Sequence, residues 1–536
     1  MHGKRFQVDA TLRMISPHAR MWVQSDLDMD HQDLVGLSRL LEEEIYPSIF
    51  GLFGGEPPTG AGPVDLVFTD RLGIRLAGYF SPHDMLHSQI SETSNGRSMI
   101  VINVKLVKGV DQLGGLLAHE LQHLIHWGFD SNESAWVQEG FSHFGMMLLG
   151  YDPGPGASAY LSRTDLQLNA WPMDGDRSAH YGAASLLITY LYDRFGPDFV
   201  KALALHPQGG LEALDAVLLE ASFWDSGSGQ VLLSEDVLMD WGLANYLQLD
   251  AGNYAYGEGR DTARATETEF VSPCEAGSTD HTVSQYGFDY IRVKCKEAAQ
   301  LTFVGDISSR LLPTRAHSGE YFFWSNRGNQ ADMTLTREFD FADVVGPLTL
   351  RFWTWYELEK NFDFVYLLAS EDGESWSFLE TTSGSPAPGT RGMQFGWGFT
   401  GINRLSEWSR QTVDLSQFAG MKVTLRFEYV TDTARTGAGF LIDDISIVET
   451  QYYSDFEDGN GGWNGDGFIR VNNAIPQSFR AAVVRLGGAL SVEHLTLDAS
   501  NHASVALDAG EEVVLVVMGA TRHTRQPAGY MLSFSP

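Results

Sequence analysis

Two rhythms of apolar and polar residues divide this chain of 536 residues. Up to about residue 257 the helical rhythm dominates. Between Leu34 and Phe50 apolar side chains recur at helical spacing with Glu42, Glu43 and Glu44 on the outer side, which predicts an amphipathic helix. A second helix is expected from Asp111, placed to cap it, to Gly128, with Leu113, Leu116, Leu117, Leu121, Leu124 and Ile125 on its buried face. A third runs from Ser131-Asn132 to Leu149, and a fourth from Tyr181 to Phe195, closed by Gly196-Pro197. Leu211–Glu220 and Asp236–Leu247 complete the helical set. His18–Ser25, Val64–Thr69, Ile74–Ser81 and Met99–Val107 have strand composition. A sheet followed by helices predicts a two-lobed α+β unit over residues 1–258.

Beyond residue 260 the period changes to two. Tyr290–Cys295, Ala299–Gly305, Leu348–Trp355, Phe364–Ser370, Lys422–Val430, Phe440–Val448, Glu512–Gly519 and Tyr530–Ser535 alternate as half-buried strands between polar turns. Regular short strands of this kind predict β-sandwiches or jelly rolls. Residues 259–313 and 451–536 each look incomplete, so we expect one split β-sandwich interrupted by an inserted unit at 314–450. The fold class is therefore multidomain: a two-lobed α+β unit followed by all-β sandwich and jelly-roll domains. Asp455–Gly467, rich in acids and glycine, misses the acid spacing of an EF-hand and reads as a turn-rich loop.

Composition narrows the partners. Hydrophobic residues make up 43% and aromatic residues 12%, enough for well-packed cores. With 36 Lys and Arg against 69 Asp and Glu, the net charge is −33, a surface that repels nucleic acid and anionic membranes. No apolar run is long enough to span a bilayer. The opening MHGKRFQVDATLRM has no apolar leader core; a leader trimmed ahead of it is the expectation, and with it secretion. Cys274 and Cys295 match no metal or redox spacing, and a disulfide between them is expected. We expect a monomer.

The chemistry concentrates in Gly114–Gly145. His119-Glu120-Leu121-Gln122-His123 spells H-E-x-x-H, and on a helix the two imidazoles share a face and reach one ion. Glu120 beside them is placed to take a proton from water at that ion. A third ligand must come from elsewhere. The metzincin continuation fails, because its glycine slot holds His126 and its last histidine slot holds Phe129. Glu139, on the next predicted helix, fits; Glu133 competes with it but lies where acids cap a helix start. His143, four residues after Glu139, shares its face and is a candidate to orient a ligand. His180 and Tyr181, opening the fourth helix, are candidate donors to a developing oxyanion, Tyr181 ahead of His180.

Residues 111–149 resemble the gluzincin zinc metallopeptidases of the thermolysin-like clan, with W-V-Q-E-G-F-S (Trp136–Ser142) similar to their ligand helix. Within that clan the stretch most resembles bacterial hyicolysin-type neutral peptidases. The resemblance implies Zn2+ held by His119, His123 and Glu139, with Glu120 as general base acting on a peptide or protein substrate. His143 stands where thermolysin-like enzymes carry an aspartate. The G-x-M-E-N segment of zinc aminopeptidases is absent, which favours internal cleavage. An extended peptide is expected to add to the edge strand Ile74–Ser81.

A second resemblance covers residues 314–450. The stretches HSGEYFFWSNRGNQADMTLTREFDF, LRFWTWYELEKNFDFVYLLASEDGESW and LRFEYVTDTARTGAGFLIDDISI are similar to the C-terminal jelly roll of immune inhibitor A-type metallopeptidases, a MAM-like, galactose-binding-like domain. It implies a bacterial secreted protein, a cell-surface or matrix ligand for the β-domains, and a structural Ca2+, for which Asp443 with Asp332 or Glu320 are the candidate ligands. The expected function is a secreted zinc endopeptidase. An adhesin with an inactive peptidase lobe and a zinc aminopeptidase are the alternatives.

Overall fold

The computed structural model describes residues 7–536 apart from 55–61, 88, 90–92, 173–174, 225–228, 259, 261–262, 273, 275–276, 387–393, 404–406 and 433–434. Strands β1 (Ala10–Ile15), β2 (Ala19–Gln24), β3 (Val64–Thr69), β4 (Gly78–Phe80) and β5 (Met99–Asn103) form one sheet in the order β1-β2-β3-β5-β4. The central strands β2, β3 and β5 are parallel, and the edges β1 and β4 run antiparallel to their neighbours. The near-continuous apolar runs VDLVFT and MIVIN suit strands buried on both faces. Strand β4 is shorter than the predicted Ile74–Ser81. Ile74 is 82% exposed, and the Asn103 side-chain amide donates to the carbonyls of Gly73 and Leu76, holding that stretch as a turn.

The helices are α1 (His31–Leu40), α2 (Tyr46–Phe53), α3 (Gly109–Trp127), α4 (Ala135–Leu148), α5 (Gly156–Leu161), α6 (Ser178–Phe195), α7 (Pro197–Ala204), α8 (Gly210–Glu220) and α9 (Ser234–Leu247). The single helix expected over Leu34–Phe50 is divided by a π-turn at Leu41–Ile45. Pro47, at the start of α2, has no N–H to donate and its ring clashes with a tight preceding turn, so the chain widens there. Pro197, expected to close α6, instead opens α7, a first-turn position that proline suits. Asp111 lies in the first turn of α3 rather than at its cap, where its carboxylate still meets the positive end of the helix dipole. Helix α4 starts at Ala135 and not near Ser131-Asn132, because Asp130 accepts the Asn132 N–H and closes a turn first.

The remainder is all β. One pair of facing six-stranded sheets contains Thr349–Glu357 and Gly439–Ile447 on one side and Phe364–Ser370 and Lys422–Val430 on the other. Leu335, Phe352, Phe427, Phe440 and Ile442 fill the space between them. The strands Tyr452–Ser454, Asn464–Asp466 and Ile469–Val471 pair into these two sheets. A second pair of sheets joins strands from both sides of the insert: Phe288–Lys294 pairs with Glu512–Gly519, and Ala299–Gly305 with Ala528–Ser535. Ser308–Arg310 and Ala474–Pro476 pair as a two-stranded neck between the two units. A disulfide joins Cys274 and Cys295. Among the described residues no helix is long and apolar enough to cross a membrane.

Candidate metal centre

Helix α3 carries the chemistry on one face and the core on the other. Leu113, Leu117, Ala118, Leu121 and Ile125 are buried under the sheet and helices. This leaves His119 and His123 turned toward α4, with their Nε2 atoms 3.2 Å apart. Helix α4 brings Glu139 to both: its Oε2 lies 3.4 Å from each histidine Nε2. Glycines set this approach. A β-carbon on Gly140 would meet the Ala184 carbonyl of α6 at 3.0 Å, so only glycine lets α4 and α6 pack backbone to backbone beside Glu139. At Gly78 a β-carbon would meet Leu116 at 2.9 Å, so glycine also lets the edge strand β4 close on α3.

The three atoms fit a metal ion by two separate criteria. Ligands 2.0–2.1 Å from a tetrahedral ion stand about 3.4 Å apart, and the triangle here has sides of 3.2, 3.4 and 3.4 Å. Glu139 Oε2 is also buried with no hydrogen-bond donor to satisfy it, a costly condition that a cation relieves. Burial works against the Glu139 charge, yet His123 and His119 outweigh it and hold the carboxyl well below its usual range. Burial likewise disfavours a charged His119, but Glu139 and Glu120 outweigh it and raise that group.

Around the triangle, Glu120 is nearly buried and its Oε2 accepts the Phe80 N–H of β4 at 2.8 Å. Tyr181 donates its O–H to Glu139 Oε1 at 3.4 Å, and burial with the Glu139 charge raises its phenol. The His143 ring meets the His119 ring edge-on at 5.1 Å and lies 4.6 Å from the Tyr181 ring. Burial, followed by the His119 charge, pushes His143 down to about 3, so it stands neutral. His180 turns toward Trp171, its Nδ1 buried without a partner. Glu133 lies off the triangle: its Oε1 accepts from Ser134 and from the Gly210 N–H at the start of α8.

Two further residues belong to the site. Ser142 Oγ, fully buried, lies 3.2 Å from both His123 Nδ1 and His123 Nε2 and donates to Gln122 Oε1 at 2.5 Å. A buried hydroxyl packed against the imidazole in this way helps to fix the position of the His123 ring beside the triangle. Both residues lie inside stretches already named, H-E-L-Q-H and W-V-Q-E-G-F-S. Their available signal was a polar residue on the buried side of each helix.

Among the described residues one other group of three ligand-type side chains converges: Glu359, Asp363 and Asp432, in the jelly roll. Asp443, Asp332 and Glu320 form no such group. The Asp443 carboxylate is occupied by the N–H groups of His317 and Ser318, and Asp332 opens a strand in the opposite sheet. Burial and the N–H bonds act in opposite senses on Asp443, and burial prevails, pushing it up to about 7.

Residues 289–473 match the Immune inhibitor A-like MAM domain family. The match begins within the strand Phe288–Lys294 and takes in both six-stranded sheets. Relatives similar to this chain are named as proteases. The pre-pro-metalloprotease PrtV of Vibrio cholerae serotype O1 is 29% identical over 134 residues, covering 24% of this chain and 13% of the relative. Immune inhibitor A of Bacillus thuringiensis subsp. alesti is 30% identical over 155 residues, covering 28% and 21%. Bacillopeptidase F of Bacillus subtilis is 27% identical over 142 residues, covering 26% and 9%. The chain thus spans about a fifth or less of these relatives, in the C-terminal MAM-like part. The His119–Glu139 triangle stands on its own geometry.

Proposed function

We propose that the chain is a secreted zinc-dependent endopeptidase whose metal is held by His119, His123 and Glu139. The observation that carries this reading is the buried Glu139 Oε2, without a hydrogen bond and 3.4 Å from both histidine nitrogens. Zinc in that triangle supplies Lewis-acid polarisation of the scissile carbonyl and acidification of water. Glu120 is the general base and returns the proton to the leaving amine. Its anchor on the Phe80 N–H ties the base to the edge strand β4. Since β4 ends the sheet, its outer backbone, apart from the Phe80 N–H that Glu120 takes, is left for an extended peptide added as a further strand. Tyr181, kept protonated by burial and Glu139, is the donor to the developing oxyanion, ahead of His180.

The same proposal divides the chain into a peptidase unit of 1–258, a split sandwich of 259–313 and 451–536, and an insert of 314–450. The pairing of Tyr452–Ser454, Asn464–Asp466 and Ile469–Val471 with the insert's sheets favours moving its end past Val471.

The test is metal content and casein hydrolysis for the wild type and Glu120→Gln. The variant is expected to keep one zinc per chain and to lose activity by about 10²–10⁴-fold. A fully active variant refutes the mechanism. A zinc-loaded wild type that cleaves no protein or peptide returns the adhesin reading, and cleavage of amino-acyl substrates alone returns the aminopeptidase.

A further inference from the structure

A cavity of about 350 Å³ opens on the outer face of the insert, lined by Arg351, Trp353, Arg410, Asp444, Ser446 and Tyr453. Register explains the grouping. Arg351 and Trp353 project on one side of Thr349–Glu357; Trp353 lies opposite Arg410 on Ser409–Asp414, and Arg351 opposite Ser446 on Gly439–Ile447. Ser446 in turn faces Tyr453. A bulge shifts the register between Arg351 and Trp353. Nearby Asp444 takes a φ of +48°, a left-handed conformation that costs a non-glycine residue energy and clusters at binding sites.

The cavity's free groups are donors. Arg351 and Arg410 are exposed and, among the described residues, have no ion pair or hydrogen bond. The Trp353 indole N–H and the Ser446 hydroxyl are likewise unengaged among the described residues. The one carboxylate in the lining, Asp444, is already occupied. It accepts from Tyr453 at 2.7 Å and Ser318 Oγ at 2.8 Å, and pairs with His317 Nδ1 at 2.5 Å. That network is rigid scaffolding. It pins the ring of Tyr453, which is 59% exposed, and holds His317 stacked on Trp353 at 3.9 Å. In a chain of net charge −33, two guanidinium groups that the one carboxylate of the lining does not pair with form a receptor for an external oxyanion.

The position also selects among anions. Of the strands beneath the cavity, Thr349–Glu357 and Gly439–Ile447 are paired on both sides, whereas Ser409–Asp414 and Tyr452–Ser454 pair on one side only, and on the first of these the Thr412 N–H is taken by the Thr382 hydroxyl. The free groups of the cavity are side chains: planar forks for the oxyanion and a fixed aromatic ring for a hydroxyl-bearing body. The volume is that of a small-ligand site. We propose that this cavity binds an acidic sugar unit, with its carboxylate or sulfate held by Arg351 and Arg410 and its ring set against Tyr453.

Titration calorimetry on the full chain at low salt tests this. The probes are a hyaluronan tetrasaccharide, a heparin-derived tetrasaccharide, neutral chitotetraose and deca-glutamate. At least one acidic tetrasaccharide is expected to bind and chitotetraose is not, the hyaluronan and heparin arms separating carboxylate from sulfate. The Arg351→Ser, Arg410→Ser double variant should weaken binding by at least about tenfold. Tyr453→Ala should weaken it as well, and since the arginines are exposed the double variant's melting temperature should not move. The proposal is overturned if neither acidic tetrasaccharide binds, if chitotetraose binds equally, or if the double variant binds like the wild type. Equal affinity for deca-glutamate overturns it too, and assigns the patch to acidic peptides. Glu120→Gln protein gives the same answer, so the result is independent of the zinc reading.

Discussion

Glu133 offers a quantitative test of how the loop between α3 and α4 is held. Its side chain is 4% exposed, and burial, reinforced by the Asp130 charge, raises it to about 7 against an ordinary 4.5. Its Oε1 takes the Ser134 hydroxyl and the Gly210 N–H at 2.7 Å, which tethers the loop to α8, while Oε2 has no partner. The folded state therefore keeps this proton up to about pH 7, and the unfolded chain loses it near pH 4.5. Between those values the folded state binds more protons, so stability falls as pH rises through the window. The gap of about 2.5 units corresponds to about 3 kcal/mol at about 1.4 kcal/mol per unit. Glu133→Gln keeps the acceptor oxygen and removes the charge. It should flatten the pH dependence and be the more stable protein at pH 8, by up to about 3 kcal/mol less the cost of its own unpaired amide. Thermal unfolding followed by circular dichroism at pH 5 and pH 8 measures this. An unchanged pH slope in the variant refutes the reasoning. Zinc content on the same samples separates the two acids: Glu133→Gln should retain the metal and Glu139→Gln should lose it.

Two further substitutions probe how the site is built. Ser142→Ala removes the hydroxyl packed against the His123 ring and should weaken zinc binding by about 10–100-fold, read by chelator competition and by a shifted cobalt spectrum; unchanged affinity would show the hydroxyl to be a bystander. Gly182→Ala places a β-carbon 1.9 Å from the Gly156 carbonyl oxygen. The α5–α6 contact must then open, and a loss of at least about 1–3 kcal/mol is expected; an unmoved melting temperature would mean that α5 is not fixed there.

The difference between legible and hidden parts of the site follows chain separation. His119, Glu120 and His123 lie within one helical turn, so periodicity alone determines their relation, and Glu139 follows on the adjoining helix. Tyr181 reaches Glu139 only through the α4–α6 crossing at Gly140, a packing event that the pattern around Tyr181 does not encode. Ser142 and Gln122 stand out in the sequence only as single polar residues on buried helix faces, a signal that does not name their partners. The strands of the second half are readable from alternation: four of the eight match at both ends, and the others shift by one or two residues, as at Phe288–Lys294 and Ala528–Ser535. Alternation fixes which face a residue takes and nothing about which strand lies beside it. The convergence of Glu359, Asp363 and Asp432 therefore had no sequence counterpart. Helices α5 and α7 were too short to show a period.

The β-sandwich cannot be a detachable appendage of the α+β unit, because the two share a core. Phe288, Tyr290, Val514, Val516 and Met518 are buried in the same cluster as Trp241, Leu243 and the helices behind them. The Trp241 and Phe288 rings meet edge-on at 5.8 Å, and Tyr290 donates its O–H to the Gly242 carbonyl at 2.7 Å. A β-carbon on Gly242 would meet the Phe288 ring at 2.1 Å, so α9 and the sheet have adapted to each other at atomic contact. At the rim, Arg522 pairs with Glu235 and Asp215, and Arg480 donates to Asp236 at 2.9 Å. Every apolar side chain in this contact would face water in a chain cut after residue 258, at about 1.5–3 kcal/mol each, against a total stability of about 5–15 kcal/mol for a domain. Residues 1–258 expressed alone should therefore be insoluble or unfolded by circular dichroism, whereas a deletion of the insert closed at the Ser308–Pro476 neck should leave zinc binding intact. A soluble, zinc-binding 1–258 fragment would show that the shared core is dispensable.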